Sequence, residues 1–340
     1  MNRFIGSFFM SLTVYSNVDL TRRNTMGLNS RARYAATCLT PQDLNSLFEI
    51  AQRDQLKVFP LGSGSNLLLH DWIDGIVLTS IDRSVEIEGV RVTAGAGLSW
   101  DELVQITLAN NLFGLENLSG IPGTVGAAPM QNIGAYGVEL SEMIIGVEVF
   151  DFVKNETRYF DREACQFGYR TSHFKVYQAG QYFITKVILE LKRHFQPVLA
   201  YSDIARLPKT QTASGQSLRS AVLAIRAGKL PDYNNTPNAG SFFKNPFVTQ
   251  KMSQDLSSQG LRTYSFDGRF KVSAAALIQA AGLVGIRSGG VRVSPKHALV
   301  FENVGEATLA DIQDLAARVR EAVHTQFGVQ LEMEPQGYVV

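Results

Sequence analysis

One stretch of this sequence constrains the fold more than any other, because it suits neither a helix nor a central strand. Residues 118–137 read LSGIPGTVGAAPMQNIGAYG and contain five glycines and two prolines. Glycine loosens a regular backbone, and proline lacks the N–H that helices and sheets need. Apolar residues such as Ile121, Val125 and Ile133 recur between them. Long segments of this kind are usually functional, so we favour backbone that lies against a flat, phosphate-bearing ligand over a simple ordered connector.

The size and charge of the chain limit its function classes. Its 340 residues are enough for two or three domains, and 45% hydrophobic with 19% charged residues is an ordinary globular balance. The formal net charge is only +1, so charge gives no case for nucleic acid or an anionic membrane as a partner. No apolar run approaches the ~20 residues of a membrane span. We expect a cytoplasmic monomer without membrane contact.

The N-terminus and the cysteines are consistent with a reducing compartment. Residues 3–14 faintly resemble a signal peptide, but they hold one basic residue and no small-x-small cleavage site follows. We predict that residues 1–16 are a disordered or mis-started extension, with Met10 as an alternative start to Met1. Cys38 and Cys165 form no C-x-x-C pair, and the histidines lack metal-ligand spacing, so we expect neither a disulfide nor a metal site. Redox chemistry here would require an organic cofactor.

Hydrophobic periodicity predicts mixed α+β structure rather than a regular βαβ alternation. Ser99 and Glu102 have the spacing of a capping box, Ser273 is a candidate helix cap, Asp311 starts the last helix and Gly328 ends it. The predicted helices cover 41–51, 99–114, 273–282 and 311–328, and the predicted strands cover 56–59, 76–78, 85–87, 90–92, 144–152 and 183–191.

A second glycine-rich turn, Gly62–Asn66, follows a predicted strand directly. Successive backbone N–H groups in such a turn can bind a pyrophosphate. The turn is neither a Walker A loop, because no Gly-Lys-Ser/Thr follows, nor a Rossmann fingerprint, because Leu67 stands where the third glycine belongs. Alone, the turn is equally consistent with a pyrophosphate site and with an ordinary tight turn. Together with residues 118–137 it predicts two surfaces for one large dinucleotide.

Three other segments could carry chemistry. They are 168–175 with Arg170, 238–246 with Ser241, and 332–334 with Glu334. Taken singly, these residues are more simply explained as a surface ion pair, a turn hydroxyl and a solvated strand end. Ser241 also lacks the G-x-S-x-G elbow of a serine hydrolase, and no histidine is recognisable as its base.

No single segment identifies a protein family, but the order of the segments along the chain does. Over residues 24–334 the series resembles the UDP-N-acetylenolpyruvoylglucosamine reductases, the flavoenzymes of bacterial peptidoglycan synthesis. Residues 194–201 are similar to the tyrosine-bearing insertion of the type I members. The motifs that carry the resemblance are GSGSN at 62–66, IPGTVG at 121–126, QNIGAYG at 131–137, GYRTSHFK at 168–175, KLPD at 229–232 and AGSFFKNP at 239–246.

This resemblance implies an α+β fold with a two-part FAD-binding region of the vanillyl-alcohol-oxidase type and a separate α+β substrate-binding domain. The first FAD-binding subdomain would cover residues 1–79. The second would cover 80–228 and include the insertion with Tyr201. The substrate domain would cover 229–334, followed by a tail at 335–340.

The resemblance also implies the reaction. NADPH would reduce UDP-N-acetylglucosamine enolpyruvate to UDP-N-acetylmuramate, with hydride passing by FAD N5 to C3 of the substrate. Ser241 would deliver the proton to C2. Arg170 would hold the substrate carboxylate with a fixed cationic fork, and Glu334 would support the enol-like intermediate as a neutral hydrogen-bond donor.

Binding residues carry over from the same motifs. Tyr136, Tyr201, Lys229 and Asn245 match positions at the substrate pocket and its diphosphate region. Since segments 62–66 and 120–137 contain no histidine or cysteine, we predict non-covalent FAD. The residues expected at FAD are Gly62, Ser63, Gly64, Ser65, Asn66, Gly120, Ile121, Pro122, Gly123, Val125, Gly126, Ala127, Gln131, Asn132, Gly134 and Ala135.

Some points stay open at this level. The C-terminus reads LEMEPQ from Leu331, where the family usually has LEPE, so Glu334 is chosen over Glu332 by position alone. A FAD-dependent sugar or alcohol oxidase of the same flavin fold is the alternative function, and a non-catalytic nucleotide-sugar binding module is a third.

Overall fold

The computed structural model describes residues 12–176 and 180–337, which form three units built on separate β-sheets. The first unit comprises β1 (Val14–Asp19), β2 (Arg31–Cys38), α1 (Pro41–Arg53), β3 (Lys57–Pro60), β4 (Leu67–Leu68) and β5 (Trp72–Ser80). Its four-stranded sheet has the order β1-β2-β5-β3, and β5 pairs in parallel with both β2 and β3. Because β2 and β3 run in the same direction, a crossover must join them, and α1 supplies it.

The helix predicted at Pro41 is confirmed, and its cap explains where it begins. Oγ1 of Thr40 accepts a hydrogen bond from the Asp43 N–H at 3.3 Å, and the Asp43 carboxylate accepts one from the Thr40 N–H at 2.9 Å. This reciprocal capping box satisfies donors that the first helical turn leaves free. Leu44 and Leu47 are buried in the core of this unit.

The second unit contains a five-stranded antiparallel sheet. Its elements are β6 (Val85–Glu88), β7 (Arg91–Gly95), α2 (Trp100–Ala109), β8 (Gly134–Ala135), β9 (Val138–Glu139), β10 (Ile144–Asp151), β11 (Glu156–Asp161), α3 (His173–Val176), β12 (Tyr182–Glu190), α4 (Ser202–Ala205) and α5 (Gly215–Lys229). The sheet has the order β11-β10-β12-β7-β6. Helix α2 packs with this sheet in one apolar core, which positions the loop that follows the helix.

The helix predicted over 99–114 is shorter than expected. Helix α2 ends at Ala109, and Asn111 and Gly114 have φ values of +55° and +130° that an α-helix cannot contain. Ser99 occupies the N-cap position without a side-chain hydrogen bond, while Glu102 pairs with Arg83. The predicted capping box is therefore wrong.

Residues 118–137 form neither a long helix nor a long strand, as predicted. Two single-turn 3₁₀ helices, Val125–Ala127 and Pro129–Gln131, are followed by the two-residue strands β8 and β9. The segment is therefore an ordered series of tight turns.

The third unit comprises β13 (Asn238–Ser241), β14 (Phe247–Val248), α6 (Gln250–Ser258), β15 (Thr263–Phe266), β16 (Arg269–Val272), α7 (Ala274–Ala280), β17 (Arg287–Ser288), β18 (Val291–Val293), β19 (Val300–Asn303) and α8 (Leu309–Phe327). Its strands form sheets in the orders β13-β19-β18-β17 and β14-β16-β15. Ser273 caps α7, as predicted, by accepting from the Ala276 N–H at 3.2 Å. Helix α8 starts earlier than predicted, because Thr308 is its cap and Asp311 completes the capping box.

The two ends of the chain differ in part from the predictions. Strand β1 begins at Val14, so the disordered extension predicted over 1–16 is wrong at its last residues, and 1–11 lie outside the described residues. Strand β20 (Gln336–Gly337) pairs in parallel with β4, so the predicted tail at 335–340 returns to the first unit. None of the helices in the described part of the chain has the length and apolar character of a membrane span.

Candidate active site

The two glycine-rich segments line one cavity of about 420 Å³. A Cβ on Gly62 would lie 2.8 Å from Oγ1 of Thr124 and 3.2 Å from Cβ of Ala127, so a side chain at this position would be crowded. Gly64 has a φ of +67°, and a Cβ there would collide with the Arg23 carbonyl. The turn therefore offers bare backbone to the cavity, which is the surface that a pyrophosphate needs.

Side chains also join the two segments. Oγ of Ser65 donates to the Pro122 carbonyl at 3.0 Å, and Nδ2 of Asn66 donates to Oε1 of Gln131. The two surfaces are thus held against each other.

Most of the residues predicted at FAD line this cavity. They are Gly62, Ser63, Gly64, Ser65, Asn66, Ile121, Pro122, Gly123, Gly126, Ala127 and Gln131.

The other predicted residues, Gly120, Val125, Asn132, Gly134 and Ala135, are not part of the lining. Val125 is fully buried in the apolar core of the second unit. Asn132 is also fully buried and donates to the Glu139 carboxylate and the Gly168 carbonyl. In an irregular segment only some residues face a given surface, and these five maintain the turns instead.

Several lining residues escaped the sequence analysis. Those on β5 and β12 belong to apolar runs that predict ordinary strand core. Lys175 lies in the motif at 168–175, where the resemblance singled out only Arg170. The residues missed are Pro60, Leu61, Leu67, Thr79, Ser80, Ala96, Trp100, Thr124, Ala128, Met130, Ile133, Phe174, Lys175, Gly180, Tyr182, Phe183, Ile184, Gln336 and Gly337.

Asp101 fixes the start of the second glycine-rich segment. Its Oδ1 accepts from the Gly120 N–H at 2.7 Å, and Arg219 of α5 donates to both carboxylate oxygens at 2.6 and 2.7 Å. Burial opposes the charged carboxylate, but the hydrogen bonds from Arg219 and Gly120 outweigh it and lower the pKa of Asp101. Beside it, the Trp100 indole donates to the Leu118 carbonyl at 3.0 Å.

Arg170 and Glu334 form an ion pair near the cavity. Nε of Arg170 lies 3.2 Å from Oε1 of Glu334, with the two side chains 19% and 12% exposed. Nη2 of Arg170 donates to the Gly134 carbonyl at 2.6 Å, and the backbone of Arg170 has a φ of +56°. The carbonyl oxygen of Glu334 lies 3.5 Å from both Nδ2 of Asn66 and Nζ of Lys175, which places the pair at one end of the cavity.

The residue before Arg170 anchors it to the third unit. The ring of Tyr169 packs on Phe247 and Phe266, with centroids 5.8 and 5.5 Å away. Nζ of the buried Lys271 lies 2.9 Å from the Tyr169 centroid and 3.3 Å from that of Phe266. Burial lowers the pKa of Lys271 to about 7, with the nearby Arg170 guanidinium also lowering it and Glu139 opposing.

The structure separates Glu334 from Glu332. Glu332 is 74% exposed and pairs with Lys244, whereas Glu334 faces Arg170. The Glu334 N–H donates to the Phe242 carbonyl at 2.9 Å, so its backbone lies beside the residue that follows Ser241. All three predicted catalytic residues therefore belong to neighbouring segments.

The two predicted tyrosines contact each other. The rings of Tyr136 and Tyr201 meet edge to face with centroids 5.4 Å apart, and Tyr201 is 42% exposed. Nδ2 of the buried Asn117 donates to the carbonyls of Tyr136 at 2.9 Å and Val198 at 3.0 Å. Asn117 thus ties together the segments that carry the tyrosines, and the sequence gives no local signal for this role.

Lys229 and Asn245 lie in different units, and neither lines the cavity. Nζ of Lys229 pairs with Oδ2 of Asp203 on α4 at 2.6 Å, and the lysine is half exposed. Asn245 is fixed within the third unit, where it donates to the Tyr264 hydroxyl at 2.8 Å and accepts from the Ala274 N–H at 2.9 Å. Lys229 is the more exposed of the two residues, and it alone carries a charge.

The arrangement as a whole combines a cavity with bare backbone, a guanidinium–carboxylate pair beside it, and the segment that carries Ser241 next to Glu334. Such a site can bind a planar, phosphate-bearing cofactor and stabilise negative charge on a substrate beside it.

Comparison with known proteins gives matches along nearly the whole chain. A family model described as the C-terminal domain of UDP-N-acetylenolpyruvoylglucosamine reductase matches residues 231–338, and one described as a FAD binding domain matches residues 32–156. A UDP-N-acetylenolpyruvoylglucosamine reductase of Cupriavidus pinatubonensis is 44% identical over 329 residues, covering 93% of this chain and 96% of that protein. One of Pseudomonas aeruginosa is 41% identical, covering 97% of this chain and 100% of that protein.

A solved structure agrees with these matches. The crystal structure of UDP-N-acetylenolpyruvylglucosamine reductase from Thermus caldophilus superposes with a TM-score of 0.70 at 27% identity. The alignment covers 97% of this chain and 100% of that one.

Proposed function

The chain belongs to the UDP-N-acetylenolpyruvoylglucosamine reductase family, and from this premise we propose which of its residues perform the reaction. The protein is a FAD-dependent oxidoreductase of peptidoglycan synthesis that reduces UDP-N-acetylenolpyruvoylglucosamine. Its reductant is NADPH, its product is UDP-N-acetylmuramate, and it acts in the cytoplasm.

The first two units hold FAD without a covalent bond, and the third unit holds the UDP-sugar. The crowding around Gly62 and Gly64 supports this placement, because a side chain at Gly62 would fill the space between the two glycine-rich segments and one at Gly64 would collide with the backbone of Arg23. Backbone N–H groups at 62–66 and 121–127 bind the pyrophosphate. When bound, FAD accepts hydride from the nicotinamide and returns it to C3 of the enolpyruvyl group.

Arg170 stabilises the negative charge that develops during reduction. Hydride addition at C3 places charge on C2 and on the carboxylate attached to it. The guanidinium is always charged and offers a planar fork that matches a carboxylate. Its bond to the Gly134 carbonyl and its contact with Glu334 fix its direction, so little reorganisation is needed when charge appears.

Ser241 and Glu334 complete the reaction. Ser241 donates the proton to C2, and its fixed position beside the enol-like carbon compensates for the weak acidity of a hydroxyl. Glu334, held against the Phe242 backbone, supports the enol-like intermediate by hydrogen bonding.

The substrate diphosphate binds at the edge of the third unit. Lys229 is exposed enough to reach it as a point charge, and Asn245 contributes its amide from the third unit. Tyr201 covers the diphosphate with its hydroxyl and packs on Tyr136. Binding of the UDP-sugar therefore involves α5, the segment before α4 and the third unit.

The ion pair of Arg170 and Glu334 next to the cavity carries this proposal. Its test is an absorbance scan of the purified yellow protein during sequential addition of NADPH and the enolpyruvyl substrate. We expect NADPH to bleach the flavin and the substrate to restore it with little peroxide. An oxidase would instead be bleached by a sugar or alcohol and would produce peroxide, which would refute the assignment.

A further inference from the structure

Lys175 differs from every other residue around the cavity. Among the described residues that line the cavity, it alone carries a charged side chain. The other lining residues are apolar or neutral. The single cation therefore occupies a position where its charge has a large effect, because few other groups screen it.

The ammonium of Lys175 is weakly compensated by the protein itself. Its Nζ lies 3.5 Å from the Glu334 carbonyl oxygen, which is a long contact for a charged donor. The neighbouring cation Lys244 has its own partner in Glu332. Burial, and then Lys244, lowers the pKa of Lys175 to about 8. A partly buried ammonium is costly unless negative charge comes close to it, so Lys175 favours a change that adds negative charge to the occupant of the cavity.

The position of Lys175 along the cavity indicates which part of FAD it meets. The Glu334 carbonyl contacts both Lys175 and Asn66, so this end of the cavity lies next to the Arg170–Glu334 pair. Gly62, at the other end of its turn, faces Thr124. Since substrate reduction occurs beside Arg170, the flavin ring must lie toward the Lys175 end.

We propose that Lys175 is the cation that stabilises the negative charge of the reduced flavin ring, an inference that rests on the proposed site for FAD. Hydride transfer from NADPH adds one proton and two electrons to the ring and releases NADP⁺. The ring system thereby gains one negative charge. A nearby ammonium stabilises this reduced form relative to the neutral oxidised form and makes the flavin easier to reduce.

The test is the midpoint potential of the bound flavin, measured by equilibration with a reference dye. K175M keeps the length of the side chain and removes its charge, whereas K175R keeps the charge. We expect K175M to lower the ratio of reduced to oxidised flavin at a fixed potential at least tenfold, which for a two-electron couple is a shift of about 30 mV. K175R should retain most of the wild-type ratio.

K244M is the matched control, because Lys244 lies close enough to influence Lys175 but does not line the cavity. Its potential should remain near that of the wild type. A K175M enzyme that keeps FAD and has an unchanged potential would overturn the proposal. An unchanged potential in K175M would not affect the proposed function, provided that the wild-type protein reduces the UDP-sugar.

A second measurement applies if K175M binds FAD too weakly for its midpoint potential to be measured. ADP carries the pyrophosphate but not the flavin ring, so its affinity for the full chain stripped of FAD reports on the pyrophosphate alone. We expect the same ADP affinity in wild type and K175M. If ADP affinity falls as much as FAD affinity, Lys175 serves the pyrophosphate and the proposal is wrong.

Discussion

Nε of Arg170 lies 3.2 Å from Oε1 of Glu334. Along the sequence, Arg170 precedes the third unit and Glu334 follows its last helix. The left-handed backbone of Arg170 costs about 1–2 kcal/mol for a residue other than glycine. The bond to the Gly134 carbonyl and the packing of Tyr169 support this conformation. The geometry is therefore set before the substrate carboxylate meets the guanidinium.

Replacing Arg170 by lysine should separate charge from geometry. R170K keeps one positive charge but loses the planar fork, so we expect kcat/KM for the UDP-sugar to fall by about 10²–10³, as for loss of one oriented charge-stabilising donor. Flavin reduction by NADPH should change only a few fold. Stopped-flow measurement of the two half-reactions checks this. R158K, at an arginine paired with Asp151 in the second unit, is the control and should change neither.

Ser241→Ala should affect only one half-reaction. Flavin reduction by NADPH should stay nearly intact, whereas reoxidation by the enolpyruvyl substrate should slow by about 10²–10⁴, the usual contribution of a positioned proton donor. S258A, at an exposed serine on α6, serves as the comparison. Equal losses in both half-reactions of S241A would argue against proton donation.

Tyr201→Phe should act mainly on binding. If the hydroxyl contacts the charged diphosphate, its loss removes about 1.5–3 kcal/mol, equivalent to a rise in KM of at least tenfold. The ring remains and still packs on Tyr136, so kcat should fall less than KM rises. Steady-state kinetics with varied UDP-sugar provide the measurement. Y159F, at an exposed tyrosine on β11, should leave KM unchanged, and an unchanged KM in Y201F would contradict the assignment.

These residues show what the sequence could and could not predict. The glycine-rich surfaces were predictable because glycine and proline act on their own backbone, so the signal is local. Arg170, Ser241 and Glu334 stand out only through the order of the motifs, since no periodicity identifies them. Asp101 and Arg219 pair across 118 positions, and no local pattern in either helix announces that contact.

The absence of a local signal also explains why some details of the sequence-based predictions were wrong. The apolar pattern after Ser99 extends the predicted helix to Gly114, but the positive φ of Asn111 ends it, and a hydrophobic period does not encode that turn. Lys175 was part of a recognised motif, yet its isolation as the charged lining residue becomes visible only when the first two units and strand β20 enclose the cavity.

The pair of Asp101 and Arg219 should matter for FAD retention and stability. D101N removes the acceptor charge and weakens the support of Gly120, and since both side chains are only partly buried we expect about 1–3 kcal/mol of destabilisation. The melting temperature and the FAD dissociation constant should both change. The double variant D101N/R219Q should lose less than the sum of the single variants, because the two residues act as one contact. Strict additivity would contradict this coupling.

Binding of reduced FAD should depend on pH through Lys175. Burial and the adjacent Lys244 lower its pKa to about 8, with Arg170 acting in the same direction and Glu334 and Glu332 opposing. The anionic ring of reduced FAD binds the protonated amine better and raises its pKa. The dissociation constant of reduced FAD should therefore be level below about pH 8 and rise above it, by up to tenfold per pH unit until the pKa of the complex is reached. Anaerobic titration of the FAD-stripped chain with reduced FAD between about pH 6.5 and about pH 9.5, followed by protein fluorescence, measures this. In K175M the rise should disappear, whereas a rise that persists in K175M would assign the titration to another group.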